Sequence, residues 1–568
     1  MTTAHLPPPD REPRGLREWL LALGISLALS VALVAPFFWL GTASGHDFEF
    51  HASSWLDAAY QWKEGILYPR WTAWTNHGFG EPRFIFYPPL SWFLGGVLTL
   101  VLPNPGVPIL FIVLVETLGG LSAYLLLRRL AVRRAALLAA ACYVVNPNTL
   151  LMTYVRSDFA EQLACALFPL LLLSALRLCA LLEDSRPRPA LIAQFALPFA
   201  AVWLSNAPAG VIASYSVALL IAWAAIERRS GRVLARGAAG IALGLGLASF
   251  YLVPAAYEQR WVNIGQALSS GLLPVENFLF TAIDDVEHTW FNWISSICAL
   301  STILLFGLAA LCSRRLAGQQ APATRNRQAF QAIFVVGVAA TLLMLRFTLP
   351  VWNLLPKLRF VQFPWRWMSI VALGCACFLA AVMEKRRGWV WFVGILVLSV
   401  PLGGFLVKNT WWDADEMPTM QEGVASQHGF DGTDEYDPLG DDHLNLPPEA
   451  PLANVLPRES AAPAGVQIQI QHWTTEDKEI RVKAPAPLRL ALRLLNYPAW
   501  RVEVNGKAVE LERVDDVNQM VIPVDAGDSV IRVRFVRTWD RQVGNAISLG
   551  GLLVAAVLLG SRRAYRTR

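Results

Sequence analysis

Two carboxylates and two imidazoles crowd into the stretch Gly45-His46-Asp47-Phe48-Glu49-Phe50-His51, directly behind the first long apolar run. Such a cluster suits a general base or a partial metal site, since both need anionic oxygens or neutral imidazoles close together. A polar cap where a helix leaves lipid is the plain alternative. In an extended chain Asp47, Glu49 and His51 share one face and His46 points the opposite way. A second group, Tyr154-Val-Arg156-Ser157-Asp158-Phe159-Ala160-Glu161, sets an arginine and two carboxylates between two apolar runs. Charges so near a membrane are costly unless paired or functional, and an Arg156–Asp158 pair is the structural reading.

Two further segments could meet a charged substrate. Asp284-Asp285-Val-Glu287-His288 lies in a long loop, and Lys357 to Trp367 places Arg366 between Trp365 and Trp367. There a guanidinium could clamp a lipid phosphate with two hydrogen bonds, or merely anchor a helix at the interface. Glu116 is the lone carboxylate inside an apolar run, a functional-site hypothesis by default. The aromatic loop Trp55 to Pro89 offers either an interfacial belt or platforms for sugar rings.

The elements that must position these groups are membrane helices. Of 568 residues 55% are hydrophobic and 16% charged, against roughly 25% charged in soluble domains, and the mean hydropathy is +0.41. A purely cytosolic enzyme is excluded. Runs of about 20 apolar residues suffice to span a bilayer, and twelve are expected: 19–40, 109–127, 135–152, 161–178, 190–204, 209–226, 237–257, 293–312, 330–345, 367–383, 389–407 and 543–560. The first has no small-residue cleavage site and reads as a permanent anchor. The stretch Pro88 to Leu102 is short and opens on two prolines, so it reads as an interfacial or re-entrant helix. That reading puts the arginine clusters at 128–134, 186–188, 228–236, 314–327, 385–387 and 562–568 in the cytoplasm, as the positive-inside rule requires.

The expected organisation follows. A cytoplasmic head (1–18) precedes a transmembrane domain (19–407) with a large first outer loop (41–108). An acidic stretch (408–465) follows, read as a solvated linker with a calcium site as the lesser alternative. Period-two alternation with turns at Asn505-Gly506 and Ala526-Gly527 predicts an outer β-sandwich over 466–542, then a final span (543–560) and a basic tail (561–568). Divided by side, the formal charge of +5 becomes a strongly basic cytoplasmic face and an acidic outer one, so it does not signal nucleic acid. The seven cysteines fall in apolar stretches, with neither metal-site nor disulfide spacing.

An acidic residue just after the first span, an aromatic loop with a non-spanning helix, and a second acidic residue after the third span resemble the GT-C superfamily of membrane glycosyltransferases. The stretch from Gly45-His46-Asp47 through Gly65, Tyr68-Pro69-Arg70-Trp71, Gly78-Phe79-Gly80 and Tyr87-Pro88-Pro89-Leu90, with Gln362-Phe363-Pro364-Trp365-Arg366, is similar to bacterial membrane proteins called 6-pyruvoyl-tetrahydropterin synthase-related. The resemblance implies an all-α polytopic GT-C-like domain with an outer β-sandwich, in the cytoplasmic membrane of a bacterium with both termini inside. It implies a polyprenyl-phosphate sugar donor, a glycan, lipid or protein acceptor, and membrane lipids as surroundings. Asp47 and Asp158 take the catalytic positions, with His46, Glu49, His51, Arg156, Glu161, His288 and Arg366 lining the substrate. A divalent metal, if used, would draw on Asp47, Glu49, Asp158 and Glu161; this chain has a His-Asp pair where many relatives carry an acidic pair, and metal-independent relatives exist. A transporter or flippase of lipid-linked saccharides predicts polar groups spread along several spans, and a non-catalytic envelope scaffold is the third alternative.

Overall fold

The computed structural model describes residues 15–102, 105–182, 188–317, 326–385, 388–440, 446–456, 465–512 and 518–564. The head before residue 15, parts of the arginine clusters (Arg186, Arg325, Arg386, Arg387) and the end of the basic tail lie outside them.

Among the described residues nine helices are long and apolar enough to cross a bilayer: Leu16–Leu40, Gly106–Leu130, Arg133–Arg156, Phe159–Leu178, Ala207–Glu227, Val286–Arg315, Pro364–Met383, Trp389–Lys408 and Trp539–Gly560. Three expected spans differ. Gly231–Leu247 with Ser249–Trp261, and Arg327–Leu343 with Arg346–Leu354, are each bent, by 75° and 94°. Ala190–Ser205 has 16 residues, about 24 Å at 1.5 Å per residue, and falls short of a bilayer core of about 30 Å. Pro89–Val101, with 13 residues, is shorter still, as expected of a helix that does not cross. It lies against the loop helix Phe48–Lys63, where a Cβ on Gly95 would come within 2.2 Å of the Trp55 indole; only glycine permits that approach.

The arginine-rich helix ends gather at one end of the bundle. Arg128 pairs with Glu18 at 2.9 Å, Asn326 donates to the Arg129 carbonyl at 3.0 Å, and Arg228 donates to Gln328 at 2.9 Å. Helix Arg133–Arg156 starts beside that end and finishes at the polar groups of interest. Its 24 residues extend about 36 Å, so the two ends are a membrane thickness apart.

The β region holds the expected strands in two antiparallel sheets. One runs Gln467–Trp473, Asp477–Ala484, Gly527–Phe535, Trp500–Val504, Lys507–Ala508; the other Ala453–Leu456, Leu488–Leu495, Gln519–Val524. Asn505 and Gly506 take positive φ at the tight turn, as the two-residue hairpin connection demands. The domain starts earlier than expected, with Ala453–Leu456, and its core is not its own: Trp71, Phe79, Ile85 and Phe86 from the first loop pack with Leu490, Leu494 and Ile531.

The acidic stretch is not a solvated linker. It contains a helix, Glu416–Ala425, and buries Met417, Met420 and Phe430. Its polar groups serve the first loop: Glu81 accepts from Thr433 N at 2.9 Å and Asn76 donates to Asp437 at 2.9 Å. A charge run reads as solvated only when no apolar anchor accompanies it, and here three do. Its carboxylates at 441 and 442 lie outside the described residues. Trp412–Asp413 also pairs antiparallel with Thr42–Ala43, closing the stretch onto the start of the first loop.

The β domain is latched to the helices by Glu258, whose carboxylate receives Arg541 Nε at 2.7 Å and Nη2 at 2.8 Å and the Tyr497 hydroxyl at 2.6 Å, all buried. Removing one partner of a buried ion pair strands the other charge, at about 3–5 kcal/mol. Glu258→Gln is expected to lower the thermal midpoint and expose the β domain to limited proteolysis. Glu258→Met combined with Arg541→Met is expected to cost less than either single change.

Candidate active site

The first group is built by a helix start. Asp47 stands at the N-cap position of Phe48–Lys63, its side chain free of any capping bond, so the local geometry is helical rather than extended, and the expected common face of Asp47, Glu49 and His51 does not form. Positions four apart share a helix face: Asp47 and His51 point together, while Glu49 is exposed elsewhere, with Asp431 and Arg83 as its charged neighbours.

The second group comes from a break between two spans. Met152–Arg156 is a π-helical turn, Ser157 follows in the left-handed region (φ 52°), and Asp158 caps the next helix by accepting from Glu161 N at 2.9 Å. Such turns and strained residues concentrate at functional sites. The Ser157 hydroxyl donates to Ala43 O at 2.7 Å and accepts from Gly45 N at 3.0 Å, while Asp47 N donates to Arg156 O at 2.9 Å. At Gly45 a Cβ would lie 2.3 Å from the Val155 carbonyl, so glycine alone lets the two segments close.

The side chains then form one buried ionic chain. Arg156 donates through Nη2 to Asp47 and to Asp158 Oδ2 at 3.1 Å. Arg366 reaches Asp158 at 3.4 Å and Glu161 at 3.0 Å, and donates to the Val361 carbonyl at 3.1 Å. His51 Nε2 stands 3.6 Å from Asp158 Oδ1. The Phe363 and Trp365 rings flank the Arg156 guanidinium at 5.1 and 5.2 Å, adding cation–π attraction. Exposure separates the acids: the Asp47 side chain is 35% accessible, those of Asp158 and Glu161 3% and 2%. Asp47 is the end of the chain that meets solvent.

Burial by itself would raise the Asp158 carboxyl, but the His51 imidazole and the guanidinium groups of Arg156 and Arg366 hold it well below its ordinary value. Arg366 spends its charge inside the network, so the expected clamp on a lipid phosphate is not what its side chain does. Glu116, buried in Gly106–Leu130, makes none of these contacts.

The other two candidate histidines, His46 and His288, sit at the same end. His46 lies 4.5 Å from Phe291 with the rings tilted by 51°, and His288 lies 6.1 Å from the same ring with Nε2 2.8 Å from the Asn277 side chain. Phe291 in turn packs on Trp365 at 5.6 Å. Nothing in its apolar helix signals Phe291 as a hub. Tyr87 is another such case: its ring lies 4.5 Å from Phe50 and 5.7 Å from His51. Burial, then Asp158 and Asp47, push its hydroxyl well above the ordinary range, so it remains a protonated donor.

The four acids proposed for a metal do not fit one. Arginines already neutralise Asp47, Asp158 and Glu161, and Glu49 faces away. Among the described residues no group of three or more His, Cys, Asp or Glu side chains is placed to hold an ion.

Comparison with known proteins adds a family. A family model described as a 6-pyruvoyl-tetrahydropterin synthase related domain, a membrane protein, matches residues 84–412. That span includes Arg156, Asp158, Glu161, His288 and Arg366 but neither Asp47 nor the β domain. Two solved structures are similar, both cryo-EM structures of the arabinofuranosyltransferase AftD from mycobacteria. The first is 17% identical with a TM-score of 0.40, covering 72% of this chain and 28% of that one; the second, a mutant form, is 16% identical with a TM-score of 0.39, covering 71% and 28%. The chain thus spans less than a third of the length of those proteins. No curated protein matches it.

Because the folded carboxyl of Asp158 sits below its unfolded value of 3.8, its ionised form stabilises the fold above that pH, and the contribution is lost as the pH falls below it. The thermal midpoint is therefore expected to drop progressively as the pH falls below about 4, with the loss continuing below about pH 3. Asp158→Asn should flatten that part of the profile and cost about 3–5 kcal/mol at neutral pH by stranding buried guanidinium charge.

Proposed function

We propose that this chain, which belongs to the 6-pyruvoyl-tetrahydropterin synthase related family of membrane proteins, is a GT-C-type glycosyltransferase. It moves a sugar from a polyprenyl-phosphate donor to an acceptor hydroxyl at the outer face of a bacterial cytoplasmic membrane. The supporting observation is that one carboxylate of a buried ionic chain, Asp47, opens to solvent while Arg156 holds it in place. The gathering of arginine-rich helix ends about one membrane thickness away supports the outward orientation.

Asp47 accepts the proton of the acceptor hydroxyl as that oxygen bonds the anomeric carbon. The bond from that carbon to the phosphate oxygen breaks, and polyprenyl phosphate leaves as an anion without needing a proton. A base and fixed positive charge therefore suffice. Arg156 orients Asp47, His46 and His288 line the rim of the site, and the Tyr87 hydroxyl donates to the sugar. Asp158, Glu161, His51 and Arg366 position Arg156.

General-base catalysis typically contributes 10²–10⁴-fold. Asp47→Asn is expected to lower release of polyprenyl phosphate from a labelled polyprenyl-phosphate sugar by at least about 100-fold, with the protein still folded and inserted and its thermal midpoint lowered less than by Asp158→Asn, since Asp47 is the more exposed partner of Arg156. Full activity in that variant removes Asp47 from the base position, and intact protein that releases no polyprenyl phosphate from any such donor sinks the reaction class.

A further inference from the structure

A cleft of about 220 Å³ lies where the far end of the loop helix, the turn at 71–78, the acidic stretch and the β domain meet. It is not part of the Asp47 group. Tyr60, on its wall, is twelve residues beyond Phe48 in helix Phe48–Lys63, about 18 Å along the axis.

The walls combine ring faces with hydrogen-bonding groups. Tyr60 and Trp473 are half-buried, and Trp74 stands edge-on to Tyr60 at 5.2 Å. Lys478 is buried, held over Trp500 at 4.4 Å and Trp473 at 5.2 Å. Two of its three N–H groups go to the Thr474 and Thr475 carbonyls at 3.0 and 2.9 Å. Arg493 spends Nη1 on the Gln427 and Ala450 carbonyls at 3.2 and 3.3 Å. Three buried donors on these walls satisfy nothing inside the protein: Trp74 Nε1, Thr475 Oγ1 and Arg493 Nε. Buried polar atoms are paired in the large majority of cases, so three orphans around one cleft ask for an explanation.

The cleft is also built to keep its shape. Asp57, buried behind it, accepts from Ala73 N at 2.7 Å and Trp74 N at 3.0 Å, and Glu64 accepts from Thr475 N at 3.0 Å. Phe430 N donates to Trp74 O at 3.0 Å. Each wall is thereby tied to another before any ligand arrives, and preorganisation of this kind lowers the cost of binding.

We propose that this cleft is an oligosaccharide-binding site. Sugars present an apolar C–H face, which packs on aromatic rings, and an edge of hydroxyls, which take donors such as a lysine N–H, an indole N–H and a guanidinium N–H. An extended peptide would need deep apolar pockets for alternate side chains, whereas the lining here alternates ring faces with hydrogen-bonding groups. Its distance from Asp47 means that it grips a glycan away from the reacting end, where contacts raise the local concentration of acceptor without entering the chemical step.

The test uses the full-length protein in lipid nanodiscs, titrated by calorimetry and saturation-transfer NMR with three soluble hexasaccharides: a neutral glucan, an N-acetylated amino-sugar oligomer and a uronic-acid oligomer. At least one is expected to bind with a Kd of about 1 mM or tighter. Trp473→Ala should weaken it by about tenfold, and Thr475→Val, which removes only a hydroxyl, should weaken it measurably at an unchanged thermal midpoint. Asp47→Asn should leave the affinity unaltered, so a failure of the transferase reading shows as binding without transfer. The proposal is overturned if no hexasaccharide binds, if binding survives both cleft variants, or if an extended peptide displaces the sugar.

Discussion

The guanidinium of Arg156 is the contact on which the remaining arrangement depends. It is fully buried and bridges Asp47 to Asp158, and a charge so placed is tolerable only while both carboxylates stay in reach. That requirement joins the segment after the first span to the break between the third and fourth. Through Asp158 and Arg366 it also joins them to the turn at Pro364–Trp367. Three parts of the chain far apart in sequence are thus held in one geometry by electrostatics rather than by apolar packing, which in a membrane distinguishes one helix from another poorly.

The backbone of this region is arranged to permit that contact. The π-helical turn ending at Arg156 and the left-handed Ser157 re-aim the chain so that Arg156 and Asp158 both face inward. Gly45 removes the one Cβ that would hold the first segment away. The cost of the unusual backbone is offset by the Ser157 hydroxyl, which satisfies a donor and an acceptor of the opposing segment. Arginine is better suited than lysine to this position, since a planar fork serves two carboxylates and stacks on Phe363 and Trp365 together.

Around this centre the first loop, the acidic stretch and the β domain behave as one unit. Trp71, Phe79 and Phe86 complete a core whose other half is strand residues, and the Glu258–Arg541–Tyr497 cluster pins the same domain to the helices. The division drawn along the chain, a membrane domain followed by a linker and a separate sandwich, is a division in sequence only. In space the loop that carries Asp47 also builds one wall of the cleft beside the β domain.

Elements that are local properties of the chain were readable from it. Apolar length located the membrane helices, alternation located the strands from Gln467 onward, and the clustering of His46, Asp47, Arg156, Asp158 and Arg366 near helix ends marked the polar centre. What periodicity could not supply was partnership. Whether Gly231–Trp261 runs straight or bends by 75°, whether the acidic stretch floats or packs, and whether Asp47, Glu49, Asp158 and Glu161 surround a cation or pair with arginines are all decided by contacts between residues a hundred or more positions apart. Arg366 shows the difference: its position between two tryptophans suggests a hand held out to lipid phosphate, whereas in the fold it is turned inward by Asp158 and Glu161. Hydrophobicity and hydrogen-bond periodicity act along the chain and are written in it, but a buried charge takes its meaning from whichever opposite charge the packing brings within a few ångströms.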